Sequence, residues 1–272
     1  MIDPDAVLAW GAPRMRDLPW RGDRDPWRIL VSEVMLQQTR AERVVERWHG
    51  FVRAFPSPAD CAAVPLGDVL RLWQGLGYPR RARDLHTTAG IVGAEHGGSL
   101  PDDLGALLAL PGIGPYTARA VLAFAFERDV GVVDTNIARI LARTSGERLT
   151  PKHAQAQADA LVPPGRGWIW NQVVMDLGAL LCRPRPRCGD CPLATRCAWN
   201  VAGHPDPDPA SGSAGVSTTQ ARFAGSDRQR RGEVMRALAD RPRDADEFDG
   251  RIVDGLVRDG LVTADGRMIR LP

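Results

Sequence analysis

The chain has 272 residues, 44% of them hydrophobic and 25% charged, which is enough apolar material for two compact domains or one large one. Its net charge of +2 names no partner by itself, so a nucleic-acid surface would have to come from local clustering of basic groups. No run reaches the ~18 apolar residues of a membrane span, and the opening M-I-D-P-D-A-V is acidic and has no signal-like apolar core, so a cytoplasmic protein without membrane attachment is expected.

Helical periodicity dominates, and the chain reads as mostly α. The loop L-P-W-R-G-D-R-D-P-W-R at 18–28 leads into I-L-V-S-E-V-M-L-Q-Q-T at 29–39. Glu33 lies inside an otherwise apolar window. If that window is a buried helix, its carboxyl loses hydration and its pKa rises, which suits a general acid near neutral pH. By itself Glu33 is equally well read as a glutamate turned to solvent at a helix edge. Residues 40–62 carry apolar groups at Val44, Val45, Trp48, Phe51, Val52 and Phe55 in a helical pattern, and Cys61 beyond them reads as a small buried hydrophobe.

L-W-Q-G-L-G-Y-P-R-R-A-R-D-L-H at 72–86 joins a glycine-rich turn to an aromatic and three arginines. An exposed Tyr78 beside Arg80, Arg81 and Arg83 is what a stacking contact with a phosphate clamp requires. The competing reading is a tyrosine closing a loop over the core. In L-P-G-I-G-P-Y-T-A-R-A-V-L-A-F, residues 110–124, a Gly-x-Gly turn joins two helical patterns. Gly112 and Gly114 can take positive φ without steric cost, so that backbone N–H groups point outward where the second helix begins, an arrangement that binds phosphate.

Asp134 ends the apolar run Val130 to Val133 and precedes the helical T-N-I-A-R-I-L-A-R. Aspartate is a favoured N-cap, and capping leaves a carboxylate able to face developing positive charge. Glu33 pushed towards neutral and Asp134 held anionic would be an acid and its electrostatic partner, in the manner of glycoside hydrolysis. Cys182, Cys188, Cys191 and Cys197 follow with the spacing C-x5-C-x2-C-x5-C, interleaved with arginines. Four thiols this close in a reducing compartment point to a metal, and spacing alone leaves zinc or an iron–sulfur cluster open. Residues 201–221 are proline, glycine and serine punctuation, a linker or a surface-hugging connection. Beyond them come a helix, a second helical pattern from about Asp244 to Arg258, and a hairpin turning at Asp265 and Gly266. Arg228, Arg230 and Arg231 in this tail are read equally as DNA contacts or as packing groups.

Several of these strings resemble the helix-hairpin-helix DNA glycosylase superfamily that contains endonuclease III. They are L-P-G-I-G-P-Y-T with V-D-T-N some twenty residues on, L-P-W-R with D-P-W-R-I-L-V-S-E-V-M-L-Q-Q-T, G-L-G-Y, and the four cysteines. Within it the chain is most similar to the adenine glycosylase branch, in a short actinobacterial form. The resemblance covers roughly residues 15–200. It implies a mostly α, two-domain helix-hairpin-helix glycosylase fold, with a six-helix barrel over 26–130 and an iron–sulfur domain over 131–200. Residues 1–25 would pack with the iron–sulfur domain, 201–221 would link, and 222–272 would form a small winged-helix-like unit.

The implied chemistry is hydrolysis of the N-glycosidic bond of adenine mispaired with 8-oxoguanine or guanine, by a monomer acting on double-stranded DNA. Glu33 would be the catalytic acid and Asp134 the anion facing the sugar. Gln37 and Gln38 would border the DNA, and Tyr78 would wedge into the duplex. A [4Fe–4S] cluster would occupy the cysteines. Bifunctional members carry a lysine two residues after the second glycine; here Tyr116 stands there, against the reacting sugar, with Asn136 near the attacking water. The sequence departs from the branch at Pro79, Thr135 and the five-residue first cysteine gap, and residues 222–272 are too few for the larger 8-oxoguanine-recognition domain of many members, so a smaller unit is expected there. A glycosylase for thymine or uracil opposite guanine and a non-catalytic DNA-binding iron–sulfur protein are the alternatives. Retention of both Glu33 and Asp134 speaks against the second of these.

Overall fold

The structure, a computed structural model, describes residues 2–216 and 222–272. The last five residues of the expected linker, 217–221, lie outside the described residues. Helices carry the fold, and the only strands among the described residues are three short ones near the C-terminus. No described helix is long and apolar enough to cross a membrane. The chain divides into two compact units, one of residues 18–114 with 222–272 and the other of residues 2–17 with 115–216. The division falls at the Gly-x-Gly turn. The helix that follows the turn lies in the same unit as the Asp134 segment and packs against the helix 167–180.

In the unit that contains residues 18–114, α2 (Pro26–Leu36), α3 (Ala41–Ala54), α4 (Pro58–Ala62), α5 (Leu66–Leu72), α6 (Arg80–Glu95) and α7 (Leu104–Ala109) surround a core that includes Leu30, Val31, Met35, Phe51, Leu70 and Leu85. The segment 40–62, which reads as one helical face, is two helices. Pro56 and Pro58 interrupt the backbone hydrogen-bond ladder, and Ser57 caps α4 in a reciprocal box with Asp60. Trp27 Nε1 donates to the Phe55 carbonyl at 3.0 Å and Trp48 Nε1 to that of Arg28 at 3.0 Å, so both buried indoles are satisfied. Cys61 is fully buried, and burial followed by the charge of Asp60 pushes its thiol up to about 12, an inert hydrophobe.

The C-terminal segment belongs to the same unit. It comprises α13 (Asp227–Asp240), β1 (Arg243–Asp244), α14 (Gly250–Arg258), β2 (Thr263–Asp265) and β3 (Met268–Arg270), with the sheet ordered β1-β3-β2 and both pairs antiparallel. The hairpin turns at Gly266, where φ is +58°. The helical pattern from Asp244 starts six residues late, at Gly250, because Asp244 is spent capping a single 3-10 turn with Glu247, and Asp249 makes the cap of α14.

The other unit begins with α1 (Pro4–Gly11) and continues through α8 (Pro115–Phe124), α9 (Thr135–Ser145), α10 (Pro151–Ala160), α11 (Gly167–Leu180) and α12 (Ala198–Val201). Val7, Ile137, Ile140, Leu141, Trp170, Val173 and Leu177 form its core. The connection after α12 hugs this body: Ala214 N donates to the Leu149 carbonyl at 2.9 Å, and Ala210 is buried.

Candidate active site

In the first unit Glu33 lies in the third turn of α2. The helix is started by Asp25, whose carboxylate accepts from Arg28 N at 3.0 Å, and by Pro26 at the first position, where no N–H is needed. Every residue from Ile29 to Met35 is buried, and Glu33 is only 3% exposed. Gln37, one turn further on, shares its face and is half-buried, while Gln38 is exposed with φ +57°. The helix end is held by Arg81. Its Nη1 donates to the carbonyls of Val34, Met35 and Gln37 at 2.7, 3.0 and 2.6 Å, and its Nη2 to those of Leu76 and Gly77 at 3.0 Å each.

Arg81 does not take the phosphate-clamping place that its basic turn suggests. Its guanidinium is turned inward, where it satisfies the orphan carbonyls of a helix C-terminus, and burial pulls its pKa down to about 10. Arg80 is exposed but forms a two-point pair with Asp259, Nε to Oδ2 at 2.8 Å and Nη2 to Oδ1 at 2.6 Å. Tyr78 is half-buried with φ +48°. The departure at Pro79 is absorbed where φ is already fixed: Pro79 has φ −62° directly before α6.

Of the two hairpin glycines, only Gly112 takes a left-handed conformation, with φ +73°. A Cβ there would fall 2.8 Å from Asp84 Cβ, whereas one at Gly114 would meet open space. The turn is fastened by Thr88, whose hydroxyl donates to the Pro111 carbonyl at 3.0 Å. One small pocket is lined by Gln37, Arg81, Pro111 and Gly112, so α2, α6 and the turn meet there. Gly112→Ala combines backbone strain with a clash and is expected to cost about 1–3 kcal/mol. Thermal unfolding checks this, and a melting point equal to the parent's contradicts this packing.

In the second unit Asp134 caps α9. Its Oδ1 accepts from Asn136 N at 3.0 Å and Ile137 N at 2.7 Å, and its Oδ2 accepts from Asn136 Nδ2 at 2.8 Å. Burial pushes its carboxyl above the ordinary aspartate value, and these donors together with Arg139 pull it back. All three named contacts are donors, the set an ionised carboxylate takes and a protonated one cannot fully use. Arg139 Nη1 continues the chain to the Asn136 Oδ1 at 3.3 Å, the Gly178 carbonyl at 3.2 Å and the Cys182 carbonyl at 2.7 Å. A Cβ on Gly178 would stand 2.5 Å from Asn136 Cβ, so the close approach of α11 to Asn136 depends on that glycine. Tyr116 is half-buried in the first turn of α8.

The four cysteines line one pocket with Ile140, Leu177, Leu181 and Trp199. Arg143, 2% exposed, donates to Cys182 Sγ at 3.5 Å and to the carbonyls of Arg183 and Pro184. It also pairs with Asp208 at 2.6 Å and stacks on Trp199 at 4.5 Å. Among the described residues no three His, Cys, Asp or Glu groups are gathered closely enough to hold a single ion. Four thiols around one pocket are a donor set for a thiolate-bound group, zinc or an iron–sulfur cluster. Arg139 and Arg143 do not stand out in the sequence. The available signal is two arginines four residues apart inside an apolar helix, which cannot be buried without partners.

A family model for the HhH-GPD superfamily of base excision DNA repair proteins matches residues 31–164. The adenine DNA glycosylase of Mycobacterium tuberculosis is 42% identical over 98% of this chain and 92% of its own length, and that of Mycolicibacterium smegmatis 40% over 98% and 95%. The Homo sapiens adenine DNA glycosylase is 39% identical over 71% of this chain and 38% of its own length. Of solved structures, a thermostable thymine-DNA glycosylase aligns with a TM-score of 0.70 and 31% identity over 73% of this chain and 95% of that one. An endonuclease III trapped in a covalent intermediate with DNA shares the fold, with a TM-score of 0.64 and 22% identity over 75% of this chain and all of that one. The chain belongs to the HhH-GPD superfamily of base excision DNA repair proteins and, within it, to the adenine DNA glycosylase family.

Proposed function

We propose that this protein is a monofunctional DNA glycosylase that hydrolyses the N-glycosidic bond of adenine mispaired with 8-oxoguanine or guanine in double-stranded DNA, acting as a monomer in the cytoplasm. The observation that carries this reading is near full-length identity to adenine DNA glycosylases in a chain whose Glu33 is buried among apolar residues. A base inside a duplex is out of reach, so the adenine is first extruded, with Gln37, Gln38, Tyr78 and the Gly112–Gly114 turn on the DNA. Glu33 then donates a proton to the purine N7, the glycosidic bond breaks towards an oxocarbenium-like sugar, and Asp134 supplies the opposing charge. Asn136, its amide fixed by Arg139 and Asp134, orients the water that completes hydrolysis, while Tyr116 lies against the sugar. Cys182, Cys188, Cys191 and Cys197 would hold a [4Fe–4S] cluster, which when bound cross-links the cysteine loop.

A second reading, removal of thymine opposite guanine, is favoured by the 31% identity to a thymine-DNA glycosylase. Incubating the protein with duplexes bearing A, T or U opposite G or 8-oxoguanine, then cleaving abasic sites with alkali, separates the two. Release from A duplexes is expected, and release confined to T or U overturns the adenine reading. Strand cleavage through a Schiff base requires an amine. Apart from the N-terminus the chain offers only Lys152, exposed on α10. Borohydride is therefore expected to trap no efficient covalent adduct with DNA, and a strong adduct would contradict monofunctional action.

A further inference from the structure

The C-terminal segment is fastened along one edge of its unit. Asp259 takes the two-point pair from Arg80 and a further bond from Arg231, and its carbonyl accepts from Arg83 Nη1 at 2.5 Å. Gln74 Nε2 donates to the Met235 carbonyl at 3.2 Å, Arg71 Nε to that of Ala239 at 2.9 Å, and Gly67 N to that of Pro272 at 2.8 Å. These bonds follow α5, the turn after it and the start of α6, and they bring the first turn of α13 to Tyr78. There Arg228 Nη1 donates to the Tyr78 hydroxyl at 2.8 Å.

The Arg228 guanidinium carbon lies 5.8 Å from the Tyr78 ring centre and 5.1 Å from that of Phe223, and Arg81 lies 5.4 Å from the Tyr78 ring. Phe223 is 54% exposed. It is not a loose residue, because its carbonyl accepts from both Ser226 N at 3.1 Å and Ser226 Oγ at 2.6 Å, at the cap of α13. The result is an alternation of cation, ring, cation and ring, with exposed Arg222 next to it. An exposed ring stacked on a guanidinium presents a flat, partly cationic face. That is the chemistry that takes an unstacked nucleobase and its phosphates.

We propose that the C-terminal unit is part of the DNA-reading surface. In this arrangement Phe223 stacks on a base of the mispaired duplex, and Arg228 is a positioning residue that orients the Tyr78 ring for it. The proposal deepens the glycosylase reading and rests on it for the identity of the duplex. The test uses the full chain and two duplexes, one fully matched and one with 2′-fluorinated adenosine, whose glycosidic bond resists cleavage, opposite 8-oxoguanine. 2-Aminopurine placed beside the opposing base reports unstacking.

Phe223→Ala is expected to weaken binding to the mispaired duplex about tenfold, with the matched duplex within about twofold of wild type and the melting point unchanged. Arg228→Ala is expected to lose the 2-aminopurine signal, and Arg228→Lys, which keeps a cationic donor, to recover part of it. Mispair binding by Phe223→Ala and Arg228→Ala within about twofold of wild type overturns the proposal. So does an equal loss on both duplexes, or a wild-type chain with no preference between them. Base release from the unmodified mispair, followed on the wild-type chain in parallel, judges the glycosylase reading separately. If release is absent while the mispair preference still depends on Phe223, that reading fails and this one stands.

Discussion

Glu33→Gln is expected to lose base release by about 10²- to 10⁴-fold, the range of general acid catalysis, while keeping its affinity for the duplex. The substitution conserves shape in a helix whose residues from Ile29 to Met35 are all buried, and an amide cannot deliver the proton that the leaving purine needs. Asp134→Asn is expected to lose about 10²- to 10³-fold, the scale of removing one electrostatic contact to a developing charge. Asn caps a helix as well as Asp does. Burial already raises the Asp134 carboxyl, so its ionised form opposes folding at every pH above its folded-state pKa, and exchange for a neutral amide removes that opposition. Against this, the amide NH2 cannot accept from Asn136 Nδ2 as Oδ2 does, so the variant is expected to stay within about 1–3 kcal/mol of the parent's stability. Single-turnover base release at saturating protein, with duplex binding and melting measured alongside, decides the matter. Parental rates in either variant would remove that residue from the chemistry, and lost binding would make it a structural group instead.

The linear order of residues made much of this molecule legible, and the exceptions share a cause. Helices were readable wherever apolar periodicity and caps agreed, as at Asp25 before α2 or Asp134 before α9. The break inside 40–62 was written in Pro56 and Pro58 but was masked by an apolar face that continues across it. The cysteine spacing anticipated four thiols around one pocket. What local sequence does not disclose is where a long side chain ends up. Arg80, Arg81 and Arg83 look alike as neighbours in a basic turn. Yet Arg80 takes Asp259, 179 positions away, Arg81 folds back under α2, and Arg83 reaches the carbonyl of Asp259. The same holds for Arg139, which reaches a carbonyl 43 positions on, and for Arg228, which finds a tyrosine 150 positions earlier. Arginine offers five donors on a long stem, so its partner is settled by tertiary approach and not by the residues beside it.

Removal of the proposed cluster, or Cys197→Ser, is expected to have its largest effect on stability. The pocket walls are apolar. Burial raises the thiols of Cys182 and Cys188 and lifts that of Cys191 to about 11, so near neutral pH an empty pocket would hold these thiols protonated. The proposed cluster would bind as its thiolate complex and would tie the two ends of the cysteine loop together, a closure worth about 3 kcal/mol by analogy with a disulfide over a loop of similar length. For a chain of this size that corresponds to a fall in melting temperature of roughly 6–12 °C. Since the ligands bind as thiolates, acidification is expected to favour cluster loss and alkali to resist it. The damage would not stay at the cysteines. Arg139 joins the Cys182 carbonyl to Asn136 and so to the carboxylate of Asp134, and a loosened loop withdraws one of the bonds that fix the amide and the anion. Base release is therefore expected to fall along with the visible absorbance of the protein, and matched-duplex binding to fall less. Metal analysis finding zinc in place of iron and sulfide would refute the cluster assignment. A chelated protein with unchanged melting and unchanged base release would refute the coupling through Arg139.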